Sequence, residues 1–281
     1  MSADASVGAM MAASPPCVEL GMLAERGDLG GCVLRLPANA HLANRDGDLH
    51  SGAISILVDT AAGLLASLHF GDNATLDLRV DHLRDVAADS ELIASAHCVG
   101  GRAPYLAVQT DIRVAGDSQL VATSIGNFIQ LRRGGEQGAL PERDNLQPQR
   151  PEVAGTDAFC NWLNIGIDAS ADGVPLYRLP FSSRVVSNWE LMQAHGGVIG
   201  AYLEAVAQLY LRQRLGRRLK TINITTNYLR LSGPSPLWAR VSATRLGGRI
   251  AALRVDAWQA DAALPTAQLF GHFQITDHII D

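Results

Sequence analysis

Aromatic residues make up only 5% of this 281-residue chain and charged residues only 18%. Cysteine is scarce, at Cys17, Cys32, Cys98 and Cys160, with no C-x-x-C pair and no histidine at zinc-site spacing. Reduced, unpaired thiols of a cytoplasmic protein are expected. Basic residues are too few to dominate. A formal net charge of -5 lacks the cationic surface that phosphate neutralisation needs, so nucleic acid is not an expected partner. Met1 to Pro16 holds no basic cluster before a long apolar run, so no secretory leader is expected. The longest apolar stretches contain an acid or fall short of a membrane span, so no membrane partner is expected. G-x-S-x-G, H-E-x-x-H and P-loop motifs are missing, which disfavours a serine α/β-hydrolase, a zincin and an NTPase. Nothing calls for a metal or a bound cofactor. What the chain does have is a 47% hydrophobic content, enough for a sizeable core and too much for disorder.

It also has an internal repeat. Thr75-Leu76-Asp77-Leu78-Arg79-Val80-Asp81-His82-Leu83-Arg84 aligns with Thr221-Ile222-Asn223-Ile224-Thr225-Thr226-Asn227-Tyr228-Leu229-Arg230. Further landmarks recur in the same order at a nearly constant offset. Arg35-Leu36-Pro37 matches Arg178-Leu179-Pro180, Asn44 matches Asn188, and His50 matches His195. Gly100-Gly101-Arg102 matches Gly247-Gly248-Arg249, and Gly126-Asn127-Phe128 matches Gly271-His272-Phe273. Two equivalent domains explain this order, with small drifts marking loop-length differences. Residues 134–156 scatter Gly134, Gly135, Gly138, Pro141, Pro148 and Pro151 among Glu, Gln and Arg, which reads as a linker. The expected layout is a loose tail over 1–16, one copy over 17–133, the linker, and a second copy over 157–281.

Each copy opens with a short strand candidate, Cys32 to Leu36 or Leu176 to Leu179. A run apolar on every side follows, Ala53 to Leu65 or Val198 to Leu209, too long for one strand and expected as a buried helix. Alternating or β-branched runs come next. In copy one they cover 74–80, 91–99, 103–112 and 119–131; in copy two, 221–228, 237–245, 250–258 and 267–275. Gly-Gly and Asp/Ser-rich turns separate them, as between antiparallel neighbours. A sheet wrapped around one central helix satisfies the pattern, which is an α+β fold.

Each helix carries one charged group where none is needed. Asp59 is alone between Ser51 and Leu68, and Glu204 between Gly196 and Leu211; each lies nine positions after a histidine, His50 or His195. A buried carboxylate must be hydrogen-bonded, protonated or beside a wet cleft, and matched buried acids point to a functional site. The helix starts, His50-Ser51-Gly52 and His195-Gly196-Gly197, put small residues where free N–H groups and the positive dipole end can meet an oxyanion.

These residues resemble the hotdog thioesterases of the phenylacetyl-CoA type. The family pattern is an Asn, six residues on a His-Gly-Gly, nine from that His to an Asp, then a Thr/Ser-rich strand ending in Tyr-Leu-Arg. Asn44, His50-Ser51-Gly52, Asp59, Thr75 and His82-Leu83-Arg84 follow it in copy one. Asn188, His195-Gly196-Gly197, Glu204, Thr221 and Tyr228-Leu229-Arg230 follow it in copy two. Departures include Ser51 in place of a Gly, Asn188 seven residues before His195, and Glu204 in place of an Asp. The resemblance implies two hotdog domains packed as a pseudo-dimer with sites across their interface. One site would combine Asn188, His195 and the Gly196 amide with Asp59 and Thr75. The other would combine Asn44, His50 and the Ser51 amide with Glu204 and Thr221. It further implies an acyl-CoA substrate and cofactor-free thioester hydrolysis. The carboxylate would activate water or attack the carbonyl, the amide would hold the oxyanion, Asn would orient water or carbonyl, and Thr would position the carboxylate or water. A homodimer of the two-copy chain is the expected assembly.

Two other readings stay open: a hotdog dehydratase or hydratase working on acyl thioesters, and a non-catalytic acyl-CoA binding module. Arg212, Arg214, Arg217, Arg218 and Lys220 crowd the end of the second helix, where they would either answer the helix dipole or hold CoA phosphates.

Overall fold

The computed structural model describes residues 3–131, 157–170, 173–187, 189 and 192–279; the linker expected at 134–156 lies outside them. Copy one consists of α1 (Ala3–Ala12), α2 (Pro15–Glu19), β1 (Leu23–Asp28), β2 (Gly31–Leu36), α3 (Ser51–Phe70), β3 (Asn73–His82), β4 (Leu92–Arg102), β5 (Tyr105–Val114) and β6 (Leu120–Gln130). Copy two consists of α4 (Ala158–Leu163), β7 (Gly166–Ala169), β8 (Pro175–Leu179), α5 (Gly196–Leu215), β9 (Arg217–Tyr228), β10 (Leu237–Leu246), β11 (Ile250–Trp258) and β12 (Ala267–Ile279). The expected helices and strands appear within a few residues of their expected ends. Two strands were not expected. β1 and β7 each add an outer hairpin partner, and neither shows the alternation that marks a half-buried strand; β1 is exposed at all but one position.

The expected loose tail is also corrected. Residues Ala3–Ala12 form α1, which lies on β1 with Val7 and Met11 buried. A side chain on Gly27 of β1 would collide with Val7, since a Cβ there would stand 2.3 Å from the Val7 Cγ2.

All twelve strands form one antiparallel sheet in the order β1-β2-β4-β5-β6-β3-β9-β12-β11-β10-β8-β7. The two copies meet at β3 and β9. Arg79 pairs with Thr225, flanked by Asp77 with Asn227 and Asp81 with Asn223. Because Thr225 is the repeat equivalent of Arg79, the register is symmetric about that pair. The duplicated sequence therefore builds a pseudo-two-fold axis through the middle of the sheet.

Helices α3 and α5 lie side by side on this sheet, which explains why neither has a polar face. One side of each meets strands and another meets its twin. Ile56, Leu57, Val58 and Leu65 are completely buried, and each such side chain stabilises the fold by roughly 1.5–3 kcal/mol. By length and a mean hydropathy of 1.6, α3 resembles a bilayer span, but here it is enclosed by the protein's own sheet and partner helix.

Candidate active sites

Each helix start approaches the backbone of the other helix's second turn. A Cβ on Gly52 would lie 3.1 Å from the Ala201 carbonyl oxygen, and one on Gly197 would lie 2.8 Å from the Ile56 Cα. This close approach carries the acid of each helix to the first turn of the other. Asp59 and Glu204 thus sit at two pseudo-equivalent centres, each built from both copies.

At the first centre, Asp59 accepts two hydrogen bonds. Thr75 donates to Oδ1 at 2.7 Å and the Gly197 amide donates to Oδ2 at 2.6 Å. The amide that reaches the carboxylate is thus that of Gly197. The Gly196 amide has no acceptor among the described residues, which leaves it open at the helix start. His195 caps α5 and its Nδ1 accepts from the same Gly197 amide at 3.1 Å. That places the ring proton on Nε2, which donates to Thr60 at 3.3 Å, and Thr60 in turn donates to the Ile56 carbonyl at 2.7 Å. Burial lowers the His195 pKa against the pull of Asp59, so the ring is neutral. Its 3.4 Å approach to Asp59 is a contact between two acceptors and makes no ion pair. Tyr228 donates to the Gly196 carbonyl at 2.8 Å, and burial together with the charge of Asp59 pushes its pKa up. Asn188 lies outside the described residues.

The second centre follows the same plan with different contacts. Glu204 is completely buried. Ser51 donates to its Oε1, and Ser55 donates to Oε2 at 3.3 Å. Ser51 therefore brings its hydroxyl to the carboxylate, a contact that a Gly at this position could not make. The longer Glu reaches side-chain donors where the shorter Asp59 reaches a backbone amide. Among the described residues Thr221 makes no hydrogen bond to Glu204. It meets the Ser51 hydroxyl at 3.1 Å and accepts from Gln208 at 3.1 Å, while Gln208 also donates to Ser51 at 2.8 Å. His82 brings Nε2 to 3.7 Å from Glu204 Oε1. His50 caps α3 by accepting from the Gly52 amide at 3.0 Å. Asn44 holds its loop, its side-chain oxygen accepting from the Asp46 and Asp48 amides at 2.8 and 3.1 Å, so only its Nδ2 is left for a ligand. A small cavity of about 40 Å³ opens here, lined by Asn44, Ser51, His82, Gln208, Thr221 and Arg218 among others.

Sequence reasoning missed Ser55, His82, Gln208 and Tyr228. A signal existed for Gln208, which stands one helical turn after Glu204 in an otherwise apolar stretch, but a search for charged groups alone passes over it. His82 and Tyr228 end the repeated strand motif, and their different chemistry becomes meaningful only once their neighbours are known.

Among the described residues neither carboxylate meets a Lys or Arg. Three cations of the basic cluster at the end of α5 answer other acids. Arg212 pairs with Asp46 at 3.4 Å and Asp157 at 3.7 Å, Arg218 with Asp46 and Asp48, and Lys220 with Asp85. These cations clasp copy one to copy two. Nearby, His50, Asp157 and Cys160 bring three buried ligand-type atoms within 4.8 Å of one another. They make a poor cation site. The His50 Nδ1 bond to Gly52 puts the proton on Nε2, and Asp157 Oδ1 already accepts from the Phe159 and Cys160 amides.

Comparison with known proteins agrees with this architecture. A family model for the thioesterase superfamily matches residues 46–115, and one for an acyl-CoA thioesterase N-terminal domain matches residues 185–274. A protein of Halobacterium salinarum, provisionally named an esterase, is 31% identical over 125 residues, 40% of this chain and 82% of that protein. The tesB protein of Mycobacterium avium subs paratuberculosis is similar in structure, with a TM-score of 0.65 and 10% identity, over 96% of this chain and 99% of its own. The acyl-CoA thioesterase II TesB2 of Mycobacterium marinum gives a TM-score of 0.59 at 12% identity, over 92% of this chain and 96% of its own. At such identities the solved structures speak for the fold alone. The matched models fall one in each half of the repeat, each containing one helix start and its buried acid, so the chain belongs to the thioesterase superfamily and carries two hotdog domains in a single polypeptide.

Proposed function

We propose that the protein hydrolyses acyl-CoA thioesters to free acid and CoA. One observation carries this reading: each half buries a carboxylate, free of any Lys or Arg partner among the described residues, against the first turn of the opposite half's helix. An acid so placed has lone pairs left after its two donors and can take a proton from water, while the helix start can hold the oxyanion that forms as that water adds to the carbonyl. At the first centre Asp59 is the base and the open Gly196 amide the oxyanion donor, with Thr75 holding the carboxylate. At the second Glu204 is the base and the Ser51 amide the donor. Asn44 Nδ2 orients the water or carbonyl, and Thr221 holds Ser51 and Gln208 in place. The cavity beside Glu204 has room for the attacking water. A cytoplasmic location belongs to the same reading, supported by four free thiols, three of them buried.

The test is thiol release from a panel of acyl-CoA esters by the wild type, Asp59→Asn, Glu204→Gln and the double variant. Loss of turnover in the double variant, with at least one single variant impaired, is expected. Full activity of the double variant, or stoichiometric binding of esters with no thiol release by the wild type, defeats the proposal.

A further inference from the structure

The two centres are chemically unequal, and the inequality lies in one repeated position. His82 of β3 and Tyr228 of β9 occupy the same place in the repeat. Tyr228 spends its hydroxyl on the Gly196 carbonyl at 2.8 Å, and burial pushes its pKa well above the usual range, so it exchanges no proton near neutrality. His82 is different in each respect. Its side chain is buried, it lines the cavity, its Nε2 has no hydrogen-bond partner, and that atom lies 3.7 Å from Glu204 Oε1. An unpartnered imidazole nitrogen buried this close to a carboxylate costs stability, and a catalytic role is one reason for such a group to be retained.

We propose that His82 is the proton carrier of the Glu204 centre, taking the proton that Glu204 removes from water and delivering it to the departing thiolate. This rests on the hydrolytic reading above. The step balances as follows. Glu204 accepts a proton from water as the water oxygen bonds to the thioester carbon. The proton passes across the short gap to His82, restoring the carboxylate beside an imidazolium. The C–S bond then breaks with its electron pair on sulfur, and the imidazolium protonates that sulfur, leaving acid, thiol and neutral His82. Several groups face the ring. Glu204 from α5, Asp81 from β3 and Asp85 from the following loop favour its charged form, while burial opposes it and holds its pKa below the ordinary value. His50 at the start of α3 also lies within electrostatic reach, and Lys220 of β9 pairs with Asp85. A weakened imidazolium of this kind surrenders its proton readily to a thiolate.

The test compares two esters of the same acyl group on the full-length protein, one of CoA and one of 4-nitrothiophenol, whose thiolate leaves without protonation. In an Asp59→Asn background, which silences the other centre, His82→Gln should lower kcat on the CoA ester by about 100-fold and leave the aryl ester nearly unchanged. His82→Asn, a smaller replacement, should give the same split if the Gln variant folds poorly. Equal loss on both esters, or no loss on either, overturns the assignment while leaving hydrolysis intact. If the wild type releases thiol from neither ester, the hydrolytic reading falls and this inference with it.

Discussion

The Gly197 amide donates to Asp59 Oδ2 across 2.6 Å, although 138 positions separate the two residues in the chain. The contact exists because α3 and α5 cross where each carries a glycine, and it divides the labour of neighbouring positions. A Cβ on Gly197 would press on the Ile56 Cα at 2.8 Å and the Ser55 carbonyl oxygen at 3.0 Å, both backbone atoms. A Cβ on Gly196 would press on the Asp59 carboxylate at 2.9 Å and the Thr75 hydroxyl at 3.2 Å, both movable. Gly197→Ala should therefore destabilise the fold by about 1–3 kcal/mol. Gly196→Ala should keep the melting temperature but abolish the Asp59 centre. Thermal melts and thiol release in a Glu204→Gln background separate the two, and equal melting losses would refute the distinction.

Ser51 offers a second test, because its hydroxyl donates to Glu204 and also meets Thr221 and Gln208. A hydrogen bond to a charged group contributes about 1.5–3 kcal/mol. In an Asp59→Asn background, Ser51→Ala should lower kcat by roughly tenfold or more on that scale. Ser51→Gly, which copies the other centre, should not restore it, since a glycine there still provides no donor to Glu204. Restoration by glycine would show that only the backbone N–H matters.

Stability should decline in acid. His50, His82 and His195 are all held below their ordinary pKa, chiefly by burial. The unfolded chain binds these protons more readily, so stability is full above the unfolded value of about 6.5 and is lost as pH falls below it. Each ring contributes at most about 1.4 kcal/mol per pH unit in that window. Urea midpoints measured from about pH 8 down to about pH 5 should fall, and His82→Gln should make the slope shallower. A flat profile would contradict the assignment of neutral, buried rings.

The clasp between copies should be graded. Arg212 is 11% exposed and pairs with Asp46 and Asp157, whereas Arg218 is 30% exposed. Breaking a buried pair strands its partners and costs about 3–5 kcal/mol, while a half-exposed pair is worth about 1 kcal/mol or less. Arg212→Met should therefore lower the urea midpoint far more than Arg218→Met. The reverse order would show that the clasp is organised around Arg218.

Much of this was legible before any coordinates. Asp59 and Glu204 stood out because a charge in an all-apolar helix is costly, and the repeated strand motif marked β3 and β9. β1 and β7 stayed hidden because edge strands with solvent on both sides leave no alternation. The tail looked loose because α1 has no sustained apolar stripe, and its docking depends on the bare surface at Gly27.

Taken by itself, the amino-acid order determined the duplication, the α+β pattern, the buried helices and the two acids, since periodicity and the cost of burying charge are written locally. Only the tertiary structure decided which amide meets Asp59, that the Ser51 hydroxyl meets Glu204, and that His82 and Tyr228 face opposite centres. Those contacts join residues far apart in the chain, and their geometry is set by how closely two helices pass, which no single stretch of sequence encodes.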